Sequence, residues 1–159
     1  MTADGHTPAT LDLLRFQDSA QSVAVEVDHL APRGSGDERY HEARIVVRSG
    51  FVNGQVGLTV SLEDLDEWER CLDALQAFEA EAGDEAEAGD GSEVEWGVEW
   101  PAGDRSAWLE VVPEDPLEVT VHDMPSTRIS VRVPIDDPDQ LPENRLRLER
   151  LRRALTESV

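Results

Sequence analysis

Branched apolar residues fall at every second position in "SVAVEVD", "LEVTVHD" and "ISVRVP", and no other feature restricts the fold of this chain so tightly. A side-chain period of two puts Val23, Val25 and Val27 on one face of a strand. It does the same for Leu117, Val119 and Val121, and for Ile129, Val131 and Val133. Ala24, Glu26, Glu118, Thr120, His122, Arg128, Ser130 and Arg132 then face the other way. Half-buried strands of this kind pair into antiparallel sheets with one oily face. "LDLLRFQD" and "SAWLEVV" read as further strands, and so does the alternation Glu93, Val94, Glu95, Trp96, Gly97, Val98, Glu99, Trp100. In "ARIVVRSGFVNGQVGLTV", Asn53-Gly54 suits a type I′ turn, which needs positive φ at both central positions. Pairing outward from that turn places Ile45, Val47, Phe51, Val56, Leu58 and Val60 on one face, with Arg44, Arg48, Gln55 and Thr59 opposite.

Two segments switch to a helical period. In "SLEDLDEWERCLDALQAFEAEAG", Leu62, Leu65, Trp68, Leu72, Leu75 and Phe78 form one apolar stripe. Ser61 and Asp64 make a capping box with Asp in the place of Glu or Gln. Asp66 and Arg70 sit one turn apart on the outer face, Cys71 borders the stripe as a small hydrophobe, and Gly83 is a natural stop. The second helix has Pro142 in its first turn and runs to about Thr156, with Leu148, Leu151 and Leu155 inward. The order is ββββα-ββββα, an α+β fold of antiparallel sheet or sheets with helices packed on them. Residues 1–10 are expected to be a flexible N-terminus and 11–159 a single domain. Within it, a mobile acidic loop at about 82–92 contains most of the repeated "EAEAGD" segments.

Charge then narrows the function. Thirty-five acidic residues face 14 basic ones, all Arg, for a net charge of −21. Such a chain repels nucleic-acid phosphates and anionic membrane surfaces, and it attracts a basic protein partner. No apolar run is long enough to span a bilayer, and the first residues lack the pattern of a signal peptide. With Cys71 as the lone cysteine, a cytoplasmic location is expected. The four His, at 6, 29, 41 and 122, lack metal-ligand spacing, although His29, Asp37 and His41 lie in or beside one loop. No metal and no cofactor are expected. The chain has no Lys, nucleophile elbow, phosphate loop or dinucleotide fingerprint, so it reads as non-enzymatic. His122-Asp123 closes a strand as a turn-stabilising pair.

The candidate binding residues form two groups. Asp84, Glu85, Glu87, Asp90, Glu93, Glu95 and Glu99 would make an acidic surface. Arg145 and Arg152 belong to an Arg-rich second helix that either pairs with the protein's own carboxylates or clamps the acidic loop. Trp68, Trp96, Trp100 and Trp108 read as core residues where helix meets sheet, with the Trp96–Trp100 pair open to the alternative of a partner anchor.

The segments "DLDEWERCLDAL", "SGFVNGQ" and "VTVHDMPSTRISVRVPID" resemble an uncharacterised family of small acidic actinobacterial proteins, from about Leu11 to Leu155. That family has no established activity, so the resemblance implies a fold and no catalytic residue. The pattern is also loosely similar to immunity proteins of polymorphic toxin systems, with Trp68 where their helix carries Phe; this is a likeness of fold. The expectation is a non-enzymatic cytosolic binding protein, an immunity-type antagonist of a basic toxin or other basic partner. Its alternatives are a regulatory adaptor and a small ligand-binding or hydrolytic domain with a pocket between helix and sheet.

Overall fold

The computed structural model describes residues 10–30, 32–35, 39–84, 97–103, 105–113, 116–124, 127–137 and 139–157. The strands are β1 (Thr10–Gln17), β2 (Ser22–Asp28), β3 (Tyr40–Arg48) and β4 (Asn53–Ser61), followed by helix α1 (Leu62–Asp84). Then come β5 (Val98–Trp100), β6 (Ala107–Val112), β7 (Leu117–Asp123), β8 (Ile129–Ile135) and helix α2 (Gln140–Glu157). Strands β1 to β4 form one antiparallel sheet in chain order, and β5 to β8 form a second. The α+β order ββββα-ββββα read from the periodicities is the order of the molecule. The expected flexible N-terminus, except Thr10, lies outside the described residues. So do residues 85–96 of the acidic segment and its following strand.

Alternation explains which side chains are inside, and one bulge explains an exception. Val23, Val25, Val27, Leu109, Val111 and Val119 are fully buried. In β1 both Leu13 and Leu14 are buried, because the register with β2 shifts between Asp12 and Leu14 and the extra residue turns inward. Buried residues of both sheets and both helices join in one core cluster. Near its centre Trp68 stands edge-on to Phe16 at 6.2 Å and to Trp100 at 5.9 Å.

The expected Asn53-Gly54 turn is not there. Arg48 pairs with Asn53, and the chain reverses at Ser49–Val52, where Ser49 N–H donates to Val52 O at 2.9 Å. Ser49 Oγ accepts from the amides of Phe51 (3.1 Å) and Val52 (2.9 Å), so a serine side chain closes the turn. Val56 therefore pairs with Ile45 rather than with Phe51. The shift is even, so Ile45, Val47, Val56, Leu58 and Val60 keep their shared face. Phe51 does not: at the turn it is 95% exposed.

The helices cross over between the halves. Helix α2 lies along β1 and α1 along β5, so each helix covers the first strand of the sheet it does not follow. Those strands are sheet edges, whose spare amides and carbonyls need partners. Gln140 Oε1 accepts from Gln17 N at 2.9 Å while its Nε2 donates to Gln17 O at 3.0 Å. One turn on, Asn144 Oδ1 accepts from Arg15 N at 2.7 Å, and Arg147 donates to Arg15 O at 3.3 Å. The match is geometric: four helical residues rise about 6 Å and two strand residues about 6.6 Å. On α1, Glu67 accepts from Ala102 N at 3.2 Å and the Asp64 carbonyl accepts from Trp100 Nε1 at 2.8 Å.

The capping box is present and larger than expected. Ser61 N donates to Asp64 Oδ2 at 2.9 Å and Asp64 N to Ser61 Oγ at 3.2 Å. Asp64 is buried, and Arg105 forks onto both its carboxylate oxygens at 2.8 and 2.9 Å. Gly83 does not stop α1, which runs through it to Asp84.

Candidate functional site

Of the expected acidic surface, Glu85, Glu87, Asp90, Glu93 and Glu95 lie outside the described residues, and Asp84 closes α1. Glu99 is placed. It is exposed on β5, and its register partner on β6 is Glu110, so two carboxylates stand directly opposite on the outer face of the second sheet. Like charges in that relation weaken a sheet by a few tenths of a kcal/mol. The same row continues to Thr120 and Arg132. Arg132 reaches instead for Glu118 at 3.7 Å, an outward Glu–Arg contact of the kind the alternation suggested.

The neighbouring row is Trp108, His122 and Ser130. Trp108 is not a core residue as the sequence suggested. Leu109 took the inward position, and alternation turned Trp108 out, half-buried, with its ring stacked on His122 at 4.9 Å and 22°. His122 Nδ1 lies 2.7 Å from Ser130 Oγ, and its Nε2 lies 3.8 Å from Glu110. His122 thus bonds across the sheet, while Asp123 holds the turn by accepting from Thr127 Oγ1 at 2.9 Å and Arg128 N at 2.9 Å. The outer face therefore places an acidic pair beside a stacked Trp108–His122 pair. Trp100, whose role was open between core and interface, is fully buried, and Trp96 lies outside the described residues.

Arg145 and Arg152 point to α1. Arg145 donates to Gln76 at 2.7 Å and Asp73 at 2.5 Å; Arg152 donates to Asp66 at 2.6 Å and also to Glu69. Asp66 is thus engaged by Arg152, in place of the Arg70 one turn away on its own helix. Burial opposes the charge of Arg152, and its bond to Glu69 with the fields of Glu69 and Asp66 more than restores it, raising its pKa. These arginines clasp the two helices, the plainer of the two roles considered for them.

Two of the cavities among the described residues bear on the candidate roles. An apolar cleft of about 220 Å³ opens between the β3–β4 and β7–β8 hairpins, lined by Ile45, Val47, Val56, Val121, Ile129 and Val131 among others. Its lining continues into Thr127, next to Arg128, which holds a left-handed φ of 61°. A second cavity, of about 410 Å³, lies where Arg39 and His41 meet Asp66 and Arg152. His41 is buried and hydrogen-bonds Asp28 O at 3.0 Å through Nδ1, His29 is buried as well, and Asp37 lies outside the described residues. Among the described residues no three His, Cys, Asp or Glu side chains gather to hold a metal ion, and no helix is long and apolar enough to cross a membrane.

The architecture defines a class: α+β proteins of two four-stranded antiparallel sheets, each followed by a helix that contacts strands. The chain belongs to the family of unknown function DUF5959, which matches residues 11–156. Among curated proteins none matches the sequence.

Proposed function

We propose that the chain is a non-enzymatic binding protein that meets a basic protein partner through the outer face of the second sheet. The observation that carries this reading is Glu99 opposite Glu110 beside the Trp108–His122 stack. A basic side chain seated between the two carboxylates would relieve their repulsion, and the Trp108 face adds a cation–π surface. The net charge of −21 speeds encounter with a basic surface. The partner fits an immunity-type role against a basic toxin in the cytosol, and a regulatory adaptor is the alternative; a toxin gene or a regulator cluster beside its own gene separates the two. The test is capture from the host's lysate with the wild type and with Glu99→Gln/Glu110→Gln, at low and high salt. The reading expects a basic protein held by the wild type at low salt and released by salt or by the double substitution. Equal capture by both proteins refutes it.

A second, hydrolytic reading is favoured by one observation, the line Ser130–His122–Glu110, which has the residue types of an acyl-transfer triad. It ranks second because these side chains stand on an outer strand face and neither cavity described above includes them. A fluorophosphonate probe decides it: labelling lost in Ser130→Ala supports hydrolysis, and an unlabelled wild type excludes it.

A further inference from the structure

Four strands form the edges of the two sheets, and three of them are protected. Strand β1 is covered by α2 and β5 by α1. Strand β8 carries Pro134, which has no amide to offer, and Gln21 Nε2 donates to the Pro134 carbonyl at 2.6 Å; Arg132 adds a charge along the same strand. Strand β4 is different. Its sequence, "NGQVGLTVS", has no Pro and no charged residue, in a chain that is 31% charged. Among the described residues two side chains bond its outward edge, both at the C-terminal end: Arg105 donates to the Thr59 carbonyl at 3.1 Å, and Asp64 accepts from Ser61 N at 2.9 Å.

The register shows which groups are free. Ser49 N bonds Val52 O, so the inward positions of β4 are Gly54, Val56, Leu58 and Val60, each bonded to β3. Asn53, Gln55 and Gly57 therefore turn their amides and carbonyls away from β3, in the same direction as the Thr59 carbonyl. Nothing in the fold requires glycine at 57: no heavy atom stands within 4 Å of the position a Cβ would take, and its φ is not left-handed. Glycine inside a strand weakens it, and its common use there is the close approach of another backbone.

Charge indicates which backbone. The β3–β4 hairpin, Tyr40–Ser61, holds Arg44 and Arg48 against Glu42, a surplus of +1, so the rest of a −21 chain carries −22. Arg44 is paired with Glu26 of β2, so the hairpin is close to neutral in a strongly acidic chain. The uncharged strand at its rim can face its own copy without the repulsion the acidic remainder would bring.

We propose that β4 pairs antiparallel with β4 of a second copy, joining the two β1–β4 sheets across a two-fold axis at Gln55. Gln55 then faces its counterpart and Asn53 faces Gly57. Three opposed pairs that each exchange two bonds give about six main-chain hydrogen bonds. The same register brings each exposed Phe51 alongside Thr59 of the other copy and covers it. This contact is independent of the outer face of the second sheet.

Sedimentation equilibrium on the full chain tests it, with far-UV circular dichroism to confirm folding. The wild type is expected at twice 17.6 kDa at high micromolar concentration. Gln55→Pro removes an outward amide that β3 does not use, so it should sediment as a folded monomer. Gln55→Glu sets two carboxylates face to face and should be monomeric at low salt, with dimer returning as salt rises. A wild type that stays monomeric at high micromolar concentration overturns the proposal. So does a dimer that persists in both variants, because it must use another surface.

Discussion

Replacing Gln140 tests the idea that α2 acts as a side-chain strand on β1. Gln140 is buried and makes two reciprocal bonds to Gln17, 2.9 Å to the amide and 3.0 Å from its own Nε2 to the carbonyl. Each such bond is worth about 1 kcal/mol net, and a stranded buried group costs about 1–3 kcal/mol. Gln17 itself is exposed, so water can serve part of what is lost. Gln140→Ala should therefore cost about 2 kcal/mol, read as a lower urea midpoint at unchanged slope. Gln140→Glu is the sharper variant. An ionised carboxylate accepts from the Gln17 amide but sets a second oxygen against the Gln17 carbonyl; a protonated one can still donate. Folding thus raises the pKa of the new carboxyl. Its stability relative to wild type is highest below the carboxyl's unfolded pKa of about 4.3 and falls as pH rises through the folded value. Urea titrations at pH 4 and pH 7 check this. An alanine variant within 0.5 kcal/mol of wild type, or a glutamate variant equally impaired at both pH values, refutes the reasoning.

Three further outcomes follow from other contacts. Arg105→Ala leaves the buried Asp64 carboxylate without its forked partner and should cost about 2–4 kcal/mol by chemical denaturation, whereas Arg132→Ala, whose Glu118 contact is exposed at 3.7 Å, should cost under about 1 kcal/mol. Asp18 has its pKa lowered, chiefly by the Asp136 amide at 3.0 Å and then by those of Ala20 and Gln21. Its contribution is present above the ordinary carboxylate range and is lost as pH falls through the depressed folded value; an NMR titration should find that midpoint low, and Asp18→Asn should differ from wild type at neutral pH but not in strong acid. Cys71 is pushed up to about 11, mainly by burial and then by Glu67. Alkylation by iodoacetamide at pH 8 should then run on the order of a hundredfold slower than for a free cysteine.

What the sequence made legible were the features carried by local periodicity. The valine alternation located the strands, and the Ser61–Asp64 spacing located the start of α1 to the residue. The turn was misread because Asn-Gly is only a propensity, and a serine side chain supplied the same closure four residues earlier. The even slip left the inward faces intact, which is why the error did not spread. The crossover of the helices has no local signature: Gln140 and Asn144 look like exposed polar residues until β1 lies beside them. For the site, Glu99 was legible from its alternation, whereas Glu110 opposite it depends on a register set by turns between strands. Trp108 was misassigned because size suggested burial where parity dictated the outer face. "AWLEV" already held that parity, with Leu109 and Val111 as its inward pair.

The partner-binding claim meets its most direct test in photocrosslinking from the outer face of the second sheet. A benzophenone side chain placed at Glu110 should give one covalent adduct with a basic protein in host lysate, and the same group at the exposed Glu79 of α1 should give none. Adducts from Glu79 alone, or from neither position, would contradict the account.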